Sequence, residues 1–323
     1  MTVPTPPSIV GPVRCIPIVG EKPMVSDRSG MDIAAFEIHR QHATIHTGPV
    51  SFIDVGYGRT AVFIHGVITN SLLWRNVIGI LASDNRRCIA VDLPGHGQTP
   101  PAAQDADVSL TGLASRVIDL CDHLGLERVD LVANDTGGAI AQIVAARLGE
   151  RLATLTLTNC DTEPNMPPMM FKPVVAAARW PRLFEVVGPR LVGHPTVTRW
   201  VTTAGYQNAH YLPTDVLDAF WRPVLGTGAA AAAFARMLRS VSTDDLAAVR
   251  PQLQQLRAPT LIAWGTGDVF FRVKWAHQLA DLIASTTGVV TLKGARLFFP
   301  DERAAELAPL LEQHWQRHDR TTI

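Results

Sequence analysis

Residues 129–142 read "VDLVANDTGGAIAQ": a short apolar run, a turn of small residues, and then at once a helical pattern. Ala133 lies two residues before Asp135 and Gly137 two after it. A strand that turns straight into a helix lifts one side chain above the sheet, and bulky neighbours at those two positions would clash. The side chain so presented is Asp135, with a helix N-terminus behind it to stabilise negative charge. An aspartate here can also serve simply as a helix N-cap. The paired small residues favour the sharper geometry.

On both sides of this stretch the chain alternates strand and helix patterns. "HATIHTG" (42–48) and "VSFIDVGYG" (50–58) alternate like the arms of a hairpin. "AVFIHG" (61–66) and "CIAVDLPGHG" (88–97) are apolar runs that end in glycine-rich turns, as buried parallel strands do. "SLTGLASRVIDLCDHLGL" (109–126) has helical period, with Ser109 as N-cap and Gly125 as stop. "LATLTLTN" (152–159), "APTLIAWGTGD" (258–268) and "GVVTLKGA" (288–295) supply further strands. "VKWAHQLADLIAS" (273–285) and "ERAAELAPLLEQHWQRH" (302–318) supply helices, and His314 on the last is expected to face solvent among its charged neighbours. The alternation predicts an α/β fold with a doubly wound, mostly parallel sheet of eight strands. Residues 1–42 form a Pro-rich N-terminal arm, 43–161 and 248–323 the core, and 162–247 an inserted helical cap. Within the cap, the alanine run "GAAAAAFARMLRS" (228–240) implies close helix packing.

Composition narrows the function. Of 323 residues 47% are hydrophobic and 18% charged, which excludes disorder and permits a large core. Formal net charge is zero with no Lys/Arg block, which argues against nucleic acid or an anionic membrane as partner. Cys15, Cys88, Cys121 and Cys160 show no C-x-x-C spacing and are expected to be reduced thiols. No apolar run reaches the roughly 20 residues that cross a bilayer, and the N-terminus is broken by prolines where a signal peptide needs an apolar stretch. The expected location is cytoplasmic. No P-loop, no G-x-G-x-x-G after a strand and no His/Cys cluster is present, so neither a metal nor an organic cofactor is expected.

Taken with its flanking motifs, the chain resembles the α/β-hydrolase fold superfamily over about residues 43–317. Its nearest likeness is to the haloalkane dehalogenases and epoxide hydrolases, whose nucleophile is an aspartate. "HGVITNSLLWRNV" (65–77) matches the family's His-Gly turn, which implies that the N–H groups of Val67 and Thr136 form an oxyanion hole over Asp135. The resemblance makes His65 structural, and Asp92 and His96 of "DLPGHGQT" (92–99) turn-forming. It places Asp268 of "WGTGDVFF" (264–271) as the acid that orients a catalytic histidine, with Asp161 at an alternative acid position.

Three departures stand out. Dehalogenases of this group grip the leaving halide with a Trp after the nucleophile and an Asn or Trp elsewhere; here those positions hold Thr136 and Val67. Epoxide hydrolases carry a proline in the His-Gly turn, where this chain has Ile68, and two cap tyrosines, for which Tyr206 and Tyr211 are candidates that could equally pack in the cap. The family's histidine belongs in "GARLFFPDER" (294–303), which holds none; Phe298 is the best match to its position and Leu297 the next register. Loss of one imidazole could be engineered, but the independent loss of the halide grip favours natural divergence.

An aspartate can form an ester unaided, whereas hydrolysing it takes a base worth roughly 10²–10⁴-fold. Three functions follow. The first is a hydrolase of dehalogenase or epoxide-hydrolase type acting on a small to medium apolar molecule. The second is an isomerase, cyclase or lyase using Asp135 as general base, and the third is an impaired homologue that binds a ligand. Trp74, Tyr206, Tyr211 and Trp221 are candidates for the pocket wall.

Overall fold

The computed structural model describes residues 16–17, 31–208 and 212–319. The strands in chain order are β1 (Ile16–Pro17), β2 (Arg40–Ile45), β3 (Gly48–Val55), β4 (Arg59–Ile64), β5 (Arg86–Val91), β6 (Val129–Asp135), β7 (Leu152–Cys160), β8 (Thr260–Gly265) and β9 (Thr286–Leu292). They form one sheet in the order β1-β9-β8-β7-β6-β4-β5-β3-β2. Only β2 with β3 and β3 with β5 run antiparallel. The eight expected strands are β2 to β9. The ninth, β1, is a two-residue piece of the N-terminal stretch that runs parallel to β9, and β2 begins at Arg40, inside the stretch expected to be an arm.

At the centre of the sheet the strands are covered on both faces. Every residue of β6 and β7 is buried, as in a parallel sheet covered by helices on both faces. Helix Thr136–Leu148 packs on both strands and on helix Leu110–His123, which the Ser109 hydroxyl caps by accepting from the Gly112 N–H at 3.2 Å. Cys88, Cys121 and Cys160 are buried free thiols; Cys15 lies outside the described residues.

Between β7 and β8 the described chain is helical or irregular. Helices Pro181–Val192, Thr214–Leu225 and the alanine-rich Gly228–Ser240 pack on one another. The stretch continues through helix Thr243–Gln254, which lies on Thr136–Leu148 and so joins the insertion to the core.

His314 differs from expectation. It is buried, its ring beside the Pro259 carbonyl at 3.2 Å. It shares the inward face of helix Ala304–Arg317 with Leu307, Leu311 and Trp315. Pro259 precedes β8, so His314 sits at the opposite end of that strand from Asp268. Burial pushes its imidazole down to about 4.

Candidate active site

Asp135 closes β6 with φ 56° and ψ −136°, a backbone that a non-glycine residue holds only when its surroundings enforce it. The enforcement is visible next door. A Cβ on Gly137 would stand 2.3 Å from the His65 carbonyl oxygen and 2.6 Å from that of Ile64. The helix therefore begins directly against the end of β4, and glycine is the residue that fits.

The turn after β4 supplies the donors. The Val67 N–H donates to Oδ2 of Asp135 at 2.9 Å, while the neighbouring Thr136 N–H only opposes the rise in proton affinity of this carboxyl. Of the two groups expected to form an oxyanion hole, Val67 thus engages the carboxylate of Asp135 itself. Ile68, which follows Val67, is held at φ 70°, a rare state for a β-branched residue.

Two further carboxyls surround Asp135. The Asp161 N–H donates to the Asp135 carbonyl at 3.3 Å, and the Thr136 hydroxyl donates to Asp161 Oδ2 at 2.8 Å. Oδ1 of Asp161 is buried without a hydrogen-bond partner among the described residues. Asp268 accepts from the Asn159 amide at 2.7 Å and from the N–H groups of Phe270 and Phe271 at 2.7 and 3.2 Å. Burial raises all three, because a low-dielectric surround penalises the charged form. Asp161 is pushed up to about 7, against the Thr136 hydroxyl. Asp268 is pushed up to about 6, against its three donors and the Arg296 guanidinium. Asp135 is raised well above the usual carboxylate range, by burial and then by the Asp161 charge, with Asp268 adding to it and the Val67 and Thr136 donors opposing.

The histidines of the two glycine-rich turns are held by contacts within and between those turns. His65 Nε2 accepts from the Leu93 N–H at 3.0 Å and its Nδ1 faces the Gly66 carbonyl at 2.8 Å, so both nitrogens are engaged. Burial brings it down to about 4. His96 lies against it with ring centroids 5.3 Å apart. Asp92 accepts from Arg40, from the Ser71 N–H and from the Gln98 N–H, which builds its turn. Among the described residues no histidine is hydrogen-bonded to Asp135, Asp161 or Asp268.

The segment after β9 meets both the elbow and the insertion. The Leu297 carbonyl accepts from the Asn134 amide at 3.0 Å, one residue before Asp135. The Phe298 N–H donates to the Gly205 carbonyl at 2.8 Å, and its ring lies 5.3 Å from that of Tyr206. Backbone contact with the elbow is therefore made at Leu297, while the Phe298 ring rests on the insertion.

Residues 61–187 match the family model of the α/β hydrolase fold. An uncharacterised protein of Mycobacterium tuberculosis is 30% identical over 251 residues, 74% of this chain and 70% of the relative. The chain belongs to the α/β-hydrolase fold superfamily. Haloalkane dehalogenase 2 of Mycobacterium tuberculosis is 29% identical over 279 residues, 81% of this chain and 89% of that one. The crystal structure of an α/β hydrolase fold protein from Burkholderia ambifaria superposes with a TM-score of 0.72 at 25% identity, covering 84% of this chain and 97% of that one.

Within this α/β-hydrolase frame the four aromatic wall candidates have the following surroundings. Trp74 is fully buried with its ring 5.3 Å from that of Phe63. Trp221 is buried in the insertion and donates through Nε1 to the Thr202 hydroxyl at 2.9 Å. Tyr206 donates to Asp301 Oδ2 at 3.0 Å, within a buried group that includes Arg75 and Asn76. Tyr211 lies outside the described residues. Sequence reasoning passed over the two buried amides that brace the site. Asn134 ties the elbow to Leu297, and Asn159 ties β7 to Asp268 and to both backbone groups of Gly265. Their signal was position: each stands at the end of an apolar strand, one or two residues before a site carboxyl.

Proposed function

We propose that this chain is an α/β-hydrolase-fold enzyme that attacks a small or medium-sized apolar electrophile through Asp135 and hydrolyses the resulting ester with Asp161 as base. One observation carries the reading: the Val67 N–H on Oδ2 of Asp135 at 2.9 Å. With Oδ2 held, Oδ1 attacks carbon, the carbon–leaving-group bond breaks and its electron pair departs with the leaving group. Oδ2 then becomes the ester carbonyl oxygen. Water adds to Cγ of Asp135 while Asp161 takes its proton, and charge collects on Oδ2 between the Val67 and Thr136 donors. Collapse expels the product alcohol, which recovers the proton.

Asp161 suits the role because Oδ1 lacks a partner and burial lifts the group to about 7, the range in which an imidazole ordinarily titrates. Asp268 adds negative charge that raises the proton affinity of Asp135. The helical insertion, read as a cap, supplies the walls of the site. Thr136 and Val67 stand where dehalogenases of this group carry a halide grip, which disfavours haloalkanes.

The raised proton affinity of Asp135 favours a second reading, in which it removes a proton from substrate without forming an ester. Intact mass spectrometry after incubation with epoxide and haloalkane panels separates the two. Wild-type turnover, an adduct on Asp135 that accumulates in Asp161→Asn, and loss of both in Asp135→Asn are expected. Turnover with no adduct in any variant would favour proton abstraction. Tight retention of intact ligand without turnover would leave a binding protein.

A further inference from the structure

Helix Pro195–Thr202 is packed inside out. It buries Thr198 and Thr202 and exposes Val197, Trp200 and Val201, with Trp200 75% exposed. The preceding helix, Pro181–Val192, exposes Leu183, Val186 and Val187 at helical spacing. Both helices rest on Thr214–Leu225, so the faces turned away from it are apolar where solvent-facing helices are ordinarily polar. Trp180, 64% exposed, stands just before the first of them. Exposed apolar area of this kind marks a surface that something covers.

Charge identifies the cover. Residues 169–201 contain Lys172, Arg179, Arg182, Arg190 and Arg199 against a single acid, Glu185, four net positive charges in a chain whose total is zero. Lys172, Arg179, Arg182 and Arg190 are exposed. The neutrality of the whole chain, which argued against an anionic membrane, conceals this segregation. Apolar stripes with exposed tryptophans and flanking basic residues are what an interfacial helix presents to anionic lipid. No helix of the described residues is long and apolar enough to cross a membrane.

We propose that the 180–201 face docks peripherally on an anionic phospholipid surface, with Trp180, Trp200 and the neighbouring aliphatic side chains in the headgroup region and Arg179, Arg182 and Arg190 against lipid phosphates. The end of helix Pro195–Thr202 leads to Gly205 and Tyr206, which touch Phe298. Docking therefore takes place beside the candidate site, where an apolar substrate dissolved in lipid would be at hand. The docking stands or falls independently of the chemistry assigned to Asp135.

Sedimentation of the full-length protein with vesicles tests it. Binding to phosphatidylcholine–phosphatidylglycerol vesicles but not to phosphatidylcholine alone is expected, weakening as salt rises. Trp200→Ser/Val201→Ser and Arg179→Gln/Arg182→Gln should each reduce the bound fraction about tenfold, with unchanged melting temperatures because these side chains are exposed. A photoreactive side chain introduced as Trp200→p-benzoylphenylalanine should couple to lipid. Absence of vesicle binding, binding by both double variants as strong as that of wild type, or coupling to a second copy or to residues 1–30 would overturn the proposal.

Discussion

Phe298 lies so closely over Gly205 that a Cβ there would come within 2.3 Å of the ring's Cδ2 and Cε2. The Phe298 N–H closes the contact on the Gly205 carbonyl at 2.8 Å. This is where the segment after β9 joins the helical insertion. Gly205→Ala should therefore destabilise the protein by about 1–3 kcal/mol through overpacking. In a Phe298→Ala background most of that penalty should disappear, since the obstructing ring is gone. A double-mutant cycle by denaturant unfolding checks this; additive effects would show that the contact carries no coupling.

The Gly205–Phe298 pair is also the kind of relationship that sequence does not reveal, because its partners are far apart in the chain and neither belongs to a periodic pattern. The same holds for Tyr206, read as a wall candidate, whose hydroxyl donates to Asp301 ninety-five residues away. The strand–helix turn at Asp135 is legible for the opposite reason. Ala133, Asp135 and Gly137 are local, and the turn they make is dictated by side-chain size within five residues. The expectation that His314 faces solvent rests on its charged neighbours in sequence, whereas its side chain is buried. Its spacing from Leu307 and Leu311 already placed it on the inward face of the helix.

Leu297 and Phe298 are adjacent registers for the position at which the resemblance expects a histidine, and the structure distinguishes their surroundings. The Leu297 backbone is tied to Asn134 beside the nucleophile candidate, while the Phe298 ring is seated against Tyr206. In an Asp161→Asn background, Leu297→His should speed loss of the ester adduct by roughly tenfold or more, within the range of general-base catalysis. Phe298→His should leave the adduct lifetime unchanged and lower the melting temperature. Time-resolved intact mass spectrometry reads the first effect, and the reverse pattern would move the register to Phe298.

Burial of Asp161 carries a stability cost that depends on pH. Its carboxyl titrates at about 7 in the folded protein, against about 3.9 in an unfolded chain. Between those values the native state holds more protons than the unfolded state, so its stability falls as pH rises through the window and levels off above pH ~7. Asp161→Asn removes the penalty and still accepts from the Thr136 hydroxyl. The variant should be more stable than wild type by roughly 2–4 kcal/mol at pH ~8 and close to it at pH ~4. Chemical denaturation at both pH values checks the sign; a variant destabilised equally at both would mean that the carboxyl is not buried as a charge.

The same substitution should split the two chemical steps in opposite directions. Attack requires ionised Asp135, whose proton affinity is raised by burial and, next, by the Asp161 charge. Removing that charge makes Asp135 easier to ionise, so in Asp161→Asn the pH dependence of adduct formation should shift to lower pH. Ester hydrolysis requires ionised Asp161, so in wild type it should rise as pH passes through about 7. In the variant that rise should vanish and the rate should drop by roughly 10²–10⁴-fold. A structural role for Asp161 would slow both steps together, and a general-base role confined to Asp135 would give no adduct to follow. Single-turnover mass spectrometry across pH ~5–9 with an epoxide that labels Asp135 distinguishes these outcomes. Faster labelling at low pH combined with a persistent adduct is the signature expected of two buried carboxyls, one attacking and the other activating water.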